Sequence, residues 1–557
     1  FVGVNDGLIP RHDAGGGILS EYDREELERA DAKLSPTARE TMYQQKFHLY
    51  RNLTKPSERL YLSFTKAGAS GEAQNPSYLI NEIRKLFPEI PVRDIEKEEK
   101  PEEKLEMPRS GEALFLEELG RAAEGEIDPL FEELYRWYAA HPEAGIPAET
   151  YRKAAFLRCA DGVIGKSAAS ALYGDTLKNS ATRLEKYAAC AFAHFMEFGL
   201  QIRERDQYEL KAADMGTVMH EALEKFSKKL QEKGETWKTV TDDTRDRLIE
   251  ECVEETMADY GNTIFQSSSR NQYRVIRVKR ILKRTVWALQ QQIRQGEFEP
   301  GEFEVSFSME DSLSAINIDL SEHEKMRLRG RIDRVDLCET DDKVYVKIID
   351  YKTGNTSLDL VALYYGLQLQ LAVYLDAAVE LEQKKHPGKQ VEPAGVFYYH
   401  IDDPMLDQEE DETDEAWGRR MLKALRMDGL VNADRKVVEL LDRVLEDGTT
   451  SDVIPVGKKK DGSYTSYSKV ASPEQFDVIR TYTRKKVREI GEGIFSGNVK
   501  ISPYQRDGAT ACAYCEYQGI CGFDQKIQGY EYRKLKGMDT ELLMKAMQEI
   551  TQSDQKE

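Results

Sequence analysis

Two short segments hold residue types that can act together on a phosphate ester. The first reads Gly330-Arg331-Ile332-Asp333-Arg334-Val335-Asp336, the second Ile348-Ile349-Asp350-Tyr351-Lys352-Thr353-Gly354. Both read as strands that end in a carboxylate, and the second adds a lysine two residues on. Side chains alternate along a strand, so Asp350 and Lys352 share one face and Tyr351 points away. Hard carboxylate oxygens suit Mg²⁺ or Mn²⁺ held against a scissile phosphate. An ammonium group beside them can orient a water or neutralise developing charge. Ile348 and Ile349 mark the strand as buried, so a charged pair at its end requires a reason. Asp336 is the alternative to Asp333.

A second constellation lies near the end of the chain. Of seven cysteines, Cys159, Cys252 and Cys338 are isolated and read as inert core residues. Cys512-x₂-Cys515-x₅-Cys521 instead places three thiols on a short loop, which favours metal ligation over a disulfide framework. Three thiolates are one short of a closed tetrahedral site. A zinc site would need a fourth ligand, and the nearest histidine in sequence is His400.

These groups need an α/β scaffold. Apolar periodicity predicts helices over residues 181–198, 215–230, 243–293, 363–381 and 473–494. Strands are predicted in FEVSFSM, MRLRGRIDRVDLC, KVYVKIIDYKTG and residues 394–400. The acidic stretch 402–415 reads as a solvated insertion. Further forward, FVGV and RLYLSF read as short strands, residues 14–17 as a Gly-rich loop, 96–106 as a charged linker and 112–177 as helical. FVGVNDGLIP reads as a strand already in progress, so the chain is expected to be the C-terminal part of a longer protein. Residues 160–167 nearly match a phosphate-binding Walker A loop. They come after a helical segment rather than a strand, so no P-loop is expected there.

With 557 residues, two to four domains are expected. Hydrophobic content of 40% and charged content of 32% fit a soluble globular protein, and no apolar run is long enough to span a bilayer. A net charge of −21 argues against a general polyanion binder. Any nucleic-acid path must then be a local basic track or be shared with a partner, with Arg331, Arg334 and Lys352 as candidate cations.

The Asp/Asp-x-Lys segments resemble the RecB-like branch of the PD-(D/E)xK nucleases, and satellite motifs agree in order. Gly216-Thr217-Val218-Met219-His220 resembles its helix-borne histidine, and Pro300 with Glu304 and Phe307 its extra acidic strand. Gln370-Leu371-Ala372-Val373-Tyr374 resembles its Gln-x-x-x-Tyr helix. The resemblance implies metal ligation by His220, Glu304, Asp333 and Asp350, with the Tyr351 carbonyl as a further ligand. It makes Lys352 the catalytic lysine, and has Gln370 and Tyr374 position the DNA backbone or the active-site strands. Glu302 is the alternative to Glu304.

Tyr187-Ala188-Ala189-Cys190-Ala191-Phe192 resembles the opening of iron–sulfur members of this branch, with Ala191 where they usually carry Pro. The resemblance implies that Cys190 joins Cys512, Cys515 and Cys521 around a [4Fe-4S] cluster that staples the domain ends; zinc in the same ligands is the alternative. FVGVNDGLIP and Arg59–Ala67 resemble late motor segments of superfamily 1 helicases, without the usual arginines.

The expected organisation is a helicase-like segment (residues 1–95), a linker and helical region (96–179), a restriction-endonuclease-like nuclease domain (180–540) and a tail (541–557). This order resembles the B subunits of heterodimeric bacterial helicase–nucleases. It implies a Mg²⁺-dependent deoxyribonuclease that trims one unwound strand, the 5′-ended one, during recombinational break repair. DNA and an AddA-type helicase/nuclease subunit would be its partners, in the bacterial cytoplasm. A free-standing iron–sulfur exonuclease and a non-catalytic DNA-gripping scaffold are the alternatives.

Overall fold

The structure is a computed structural model. It describes residues 1–557 except 12–20, 33, 69–71, 96–104, 106, 107, 124, 126–128, 145–147, 156–161, 206, 261, 262, 308–312, 314–316, 322, 323, 408–411 and 554–557. The Gly-rich loop and almost all of the charged linker fall outside the described residues. The chain forms two compact units, Phe1–Phe156 and Leu157–Glu557.

In the first unit the FVGV and RLYLSF segments do not become regular strands. They are joined by Val4 N–H donating to Ser63 O (2.8 Å) and Ser63 N–H donating to Phe1 O (3.0 Å), too few bonds for a ladder. Helices Pro108–Ala123, Pro129–Ala140 and Ala148–Ala155 come next. The first two close a small core around Leu114, Phe115, Leu134 and Tyr138.

The second unit begins earlier than residue 180. Strand Thr176–Asn179 pairs in parallel with Lys325–Leu328, which ties it to the C-terminal part of the chain. Nor is the C-terminus a tail: Leu543, Met544 and Met547 of helix Thr540–Ser553 are buried in one of the two main cores. Near the Walker-like segment, Gly165 caps helix Lys166–Tyr173, and the preceding described element is helix Ala148–Ala155, not a strand.

Helix α1 (Ala181–Ala189) stops at Cys190, which adopts extended backbone (φ −162°, ψ 116°) where periodicity predicts an unbroken helix over 181–198. After it comes α2 (Ala212–Glu232), near the predicted 215–230, and the single long helix predicted over 243–293 divides into α3 (Asp242–Asp259) and α4 (Ser269–Gln295). Strands β1 (Glu299–Phe307), β2 (Gly330–Glu339) and β3 (Lys343–Lys352) are successive antiparallel neighbours. The MRLRGRIDRVDLC run is thus two strands, its first part lying in the separate small sheet with Thr176–Asn179.

Gly366, at φ +80°, turns the chain between a short helix (Leu360–Tyr364) and α5 (Gln370–Lys385), so the predicted single helix is also two. Strand β4 (Gln390–His400) then pairs in parallel with β3, and β5 (Asp428–Asn432) and β6 (Val470–Ala471) extend the sheet to six strands in the order β1-β2-β3-β4-β5-β6. Helix α6 (Pro473–Phe495) completes the layers.

One core sets α2, α3 and α4 against Cys338, Tyr345, Ile349 and Tyr351 of the sheet. The other sets α5 and α6 against Val335, Val344, Val346 and Ile348. The sheet is therefore covered on both faces, which accounts for the near-continuous apolar run of β3. Among the described residues no helix is long and apolar enough to cross a membrane.

Candidate active site

Strand β3 alternates as its sequence predicts. Ile349 and Tyr351 enter the α2–α4 core, whereas Asp350 and Lys352 face α5. Lys352 Nζ lies 2.7 Å from Asp350 Oδ2 and 5.2 Å from the Tyr398 ring centroid. Because β2 runs antiparallel to β3, Asp333 at the start of β2, not at its end as expected, comes level with Asp350 at the end of β3. The last paired residues are Arg334 and Ile349, one step away.

Asp333 and Glu304 sit where alternation fails in both strands at once. Phe303 packs into the α2–α4 core and Val305 against the α5–α6 core, although residues two apart should share a face. Across from them, Ile332 joins the α5–α6 core and Arg334 lies over Trp237 on the opposite side. The pairs Phe303–Arg334 and Val305–Ile332 bracket Glu304 and Asp333, which therefore face one another. Glu304 takes φ +49°, a left-handed conformation that costs a non-glycine residue roughly 1–3 kcal/mol and turns its carboxylate out of the strand rhythm.

His220 on α2 completes the group. Ligand atoms of His220, Glu304 and Asp333 all lie within 4.8 Å of one another. His220 Nδ1 is 3.3 Å from Asp333 Oδ2, which also accepts the Tyr351 N–H at 2.8 Å. Asp350 lies beside this trio rather than within it. It is fixed by the carboxamide of Gln370: Nε2 donates to Asp350 Oδ1 at 2.7 Å and to the Tyr374 hydroxyl at 3.3 Å, while Oε1 accepts from Lys352 Nζ at 3.0 Å.

The electrostatics are those of buried carboxylates crowded together. Burial pushes the Glu304 carboxyl up to about 7, with Asp333 adding to the shift and Arg331 opposing it. Burial and Asp333 likewise raise Asp350 to about 6 against the pull of Lys352. His220 is raised as well: burial opposes its charged form, but the Asp333 hydrogen bond and the surrounding carboxylates outweigh that. Glu304 Oε2 and Asp350 Oδ2 are buried and make no hydrogen bond of good geometry, only ion pairs to Arg331 and Lys352. Crowded carboxylates, two of whose buried oxygens accept no hydrogen bond, fit a divalent ion.

Glu302 and Asp336, the two alternatives, pair with other residues. Glu302 pairs with Lys385 at the far end of α5, away from His220. Asp336 is fully buried, accepts from Arg334 at 2.6 and 2.8 Å, and lies 3.0 Å from Lys347. The same network corrects the reading of Arg334 as a cation for DNA, because Arg334 has no exposed surface. Arg331, with an exposed side chain paired to Glu304, stays available at the surface.

Glu185, which sequence reasoning missed, accepts at Oε1 from the N–H groups of Leu369 (2.6 Å) and Gln370 (3.0 Å). An acidic residue next to Leu184 on a helix with one buried face was the available signal.

The four cysteines lie in one neighbourhood. Cys190, turned out by the break after α1, shares a small apolar cluster with Cys515 and Tyr517. Burial raises the Cys512 thiol, as do Cys190, Cys515 and Cys521 around it, while the Tyr532 hydroxyl pulls it down. Phe523 N–H points to Cys521 Sγ at 3.4 Å, and the Tyr517 N–H favours the Cys515 thiolate. Cys252 and Cys338 are buried and unpaired by disulfide; Cys159 lies outside the described residues.

The sequence pattern of the PD-(D/E)XK nuclease superfamily matches residues 178–522. The chain is 42% identical to the B subunit of the ATP-dependent helicase/deoxyribonuclease of Lachnoclostridium phytofermentans, over 97% of this chain and 46% of that protein. It is 34% identical to the protein of that name from Alkaliphilus metalliredigens, over 99% and 48%, and 33% identical to that from Clostridium tetani, over 100% and 48%. The chain thus spans about half the length of the curated relatives it matches. With the matched region covering both the carboxylate–lysine site and the four cysteines, the chain belongs to the PD-(D/E)XK nuclease superfamily.

Proposed function

We propose that this chain carries the nuclease of the B subunit of a helicase/deoxyribonuclease. In this reading it hydrolyses one unwound DNA strand, the 5′-ended one, during recombinational repair of double-strand breaks. The observation that carries the reading is the meeting of His220, Glu304 and Asp333 within 4.8 Å, beside the Asp350–Lys352 pair.

Mg²⁺ or Mn²⁺ would be held by these three residues and Asp350, with the Tyr351 carbonyl as a further ligand, and supplies Lewis acidity and a lowered water pKa. Lys352, held by Asp350 and Gln370, presents its ammonium where negative charge develops on the phosphate. Gln370 keeps both groups in register, and Tyr374 supports it one helical turn on.

Cys190, Cys512, Cys515 and Cys521 are proposed to hold a [4Fe-4S] cluster. The thiols of Cys190, Cys515 and Cys521 all act on Cys512, which supports a shared site. Residues 1–95 are read as a helicase-like segment. An AddA-type helicase/nuclease subunit would supply the motor, and the complex would work on DNA in the bacterial cytoplasm.

The test is cleavage of end-labelled single strands. Shortening with Mg²⁺ that stops with EDTA supports the reading; no cleavage with either Mg²⁺ or Mn²⁺ overturns it.

A further inference from the structure

Helix α5 begins with the residue that organises the hydrolytic site, yet its own first turn has no local cap. Its N-cap is Leu369, whose side chain has nothing to offer the unpaired N–H groups there. The missing acceptor comes from a helix 184 residues earlier: Glu185 Oε1 takes the N–H of Leu369 at 2.6 Å and of Gln370 at 3.0 Å. A carboxylate at a helix N-terminus also meets the positive end of the helix dipole.

We infer that Glu185 is a positioning residue for phosphodiester hydrolysis, capping α5 from α1 and so holding the Gln370 carboxamide between Asp350 and Lys352. This rests on the nuclease reading above. The requirement is geometric. Gln370 serves two partners of opposite character, donating to Asp350 and accepting from Lys352, so a small shift at its backbone weakens both contacts together.

Burial raises the Glu185 carboxyl to about 7, and the two N–H groups and Lys352 pull it back. A carbonyl-type oxygen accepts both N–H bonds in either protonation state, so glutamine is a fair substitute. Five residues further on, the same helix ends at Cys190, and Arg533 donates to the carbonyls of Ala188 and Ala189. Glu185 therefore sits on the segment that joins the four-cysteine site to the hydrolytic site.

The experiment is a double-mutant cycle in the intact protein with saturating Mg²⁺, reading turnover and KM on a labelled single strand. Glu185→Ala is expected to slow turnover about 30-fold, the scale of losing hydrogen bonds to a charged acceptor, with KM within about threefold. Glu185→Gln should recover most of the rate. Because Glu185 acts through Gln370, Glu185→Ala combined with Gln370→Ala should be no slower than the slower single variant.

Wild-type turnover in Glu185→Ala, or losses that multiply in the double variant, would overturn the inference. If Glu185→Ala does not fold, Glu185→Asp, one methylene too short to reach both N–H groups, carries the same cycle. No Mg²⁺-dependent cleavage by the unmodified protein would overturn the nuclease reading, and this inference with it.

Discussion

Gln370 and Asp350 are joined by a 2.7 Å hydrogen bond from Nε2 to Oδ1, and the other end of the same carboxamide holds Lys352. Asp350 thus has both oxygens committed to the site: Oδ1 to Gln370, Oδ2 to Lys352. If Asp350 holds the metal as proposed, Asp350→Ala removes a charge worth several kcal/mol in the transition state, so Mg²⁺-dependent cleavage should fall on the order of 10³-fold. The fold should survive, since Ile348 and Ile349 keep β3 anchored. Cleavage assays paired with circular dichroism check this, and near-normal rates would remove Asp350 from the mechanism.

Cys190→Ser should release iron and the brown colour, lower the melting temperature and expose the segment after α1 to protease. A group bound between parts so distant in sequence contributes its binding energy to folding. Iron and zinc analysis of anaerobically purified protein decides the identity of the group. Zinc without iron would rule out the cluster.

Stability should depend on pH through the carboxylates of the candidate site. The folded values of Glu304 (about 7) and Asp350 (about 6) exceed the ordinary 4.5 and 3.8. Between ordinary and folded values the native state binds more protons than the unfolded chain, so metal-free protein loses stability as pH rises through that window. Below the ordinary values the penalty is absent. Melting temperature without metal should therefore fall between about pH 5 and pH 7.5, less steeply in Glu304→Gln, and Mg²⁺ should raise it more at the higher pH. Identical slopes in both proteins would contradict the assignment.

Arg334 and Arg331 should respond differently to alanine. Arg334→Ala breaks a fully buried ion network with Asp336 and Lys347 and should cost about 3 kcal/mol of stability. Arg331→Ala leaves Glu304 without its ion partner and should cost less stability than Arg334→Ala, but it should weaken single-strand binding and lower its salt slope by about one. Denaturant melts and binding titrations at two salt concentrations separate the two.

The features legible in the residues alone are local ones. The shared face of Asp350 and Lys352, the one-turn spacing of Gln370 and Tyr374, and the close thiols of Cys512, Cys515 and Cys521 reflect the geometry of a single strand, helix or loop. Packing decided whatever depends on two elements meeting. Alternation alone gives Glu302 and Glu304 the same face. The paired irregularity between β1 and β2 separates them and turns Glu304 toward Asp333. The break of α1 at Cys190, the burial of Arg334 beside Asp336, and the capping of α5 by Glu185 are of the same kind. Strand register, burial and a cap from a distant helix depend on the partner that packing supplies, and no periodicity within one segment encodes that partner.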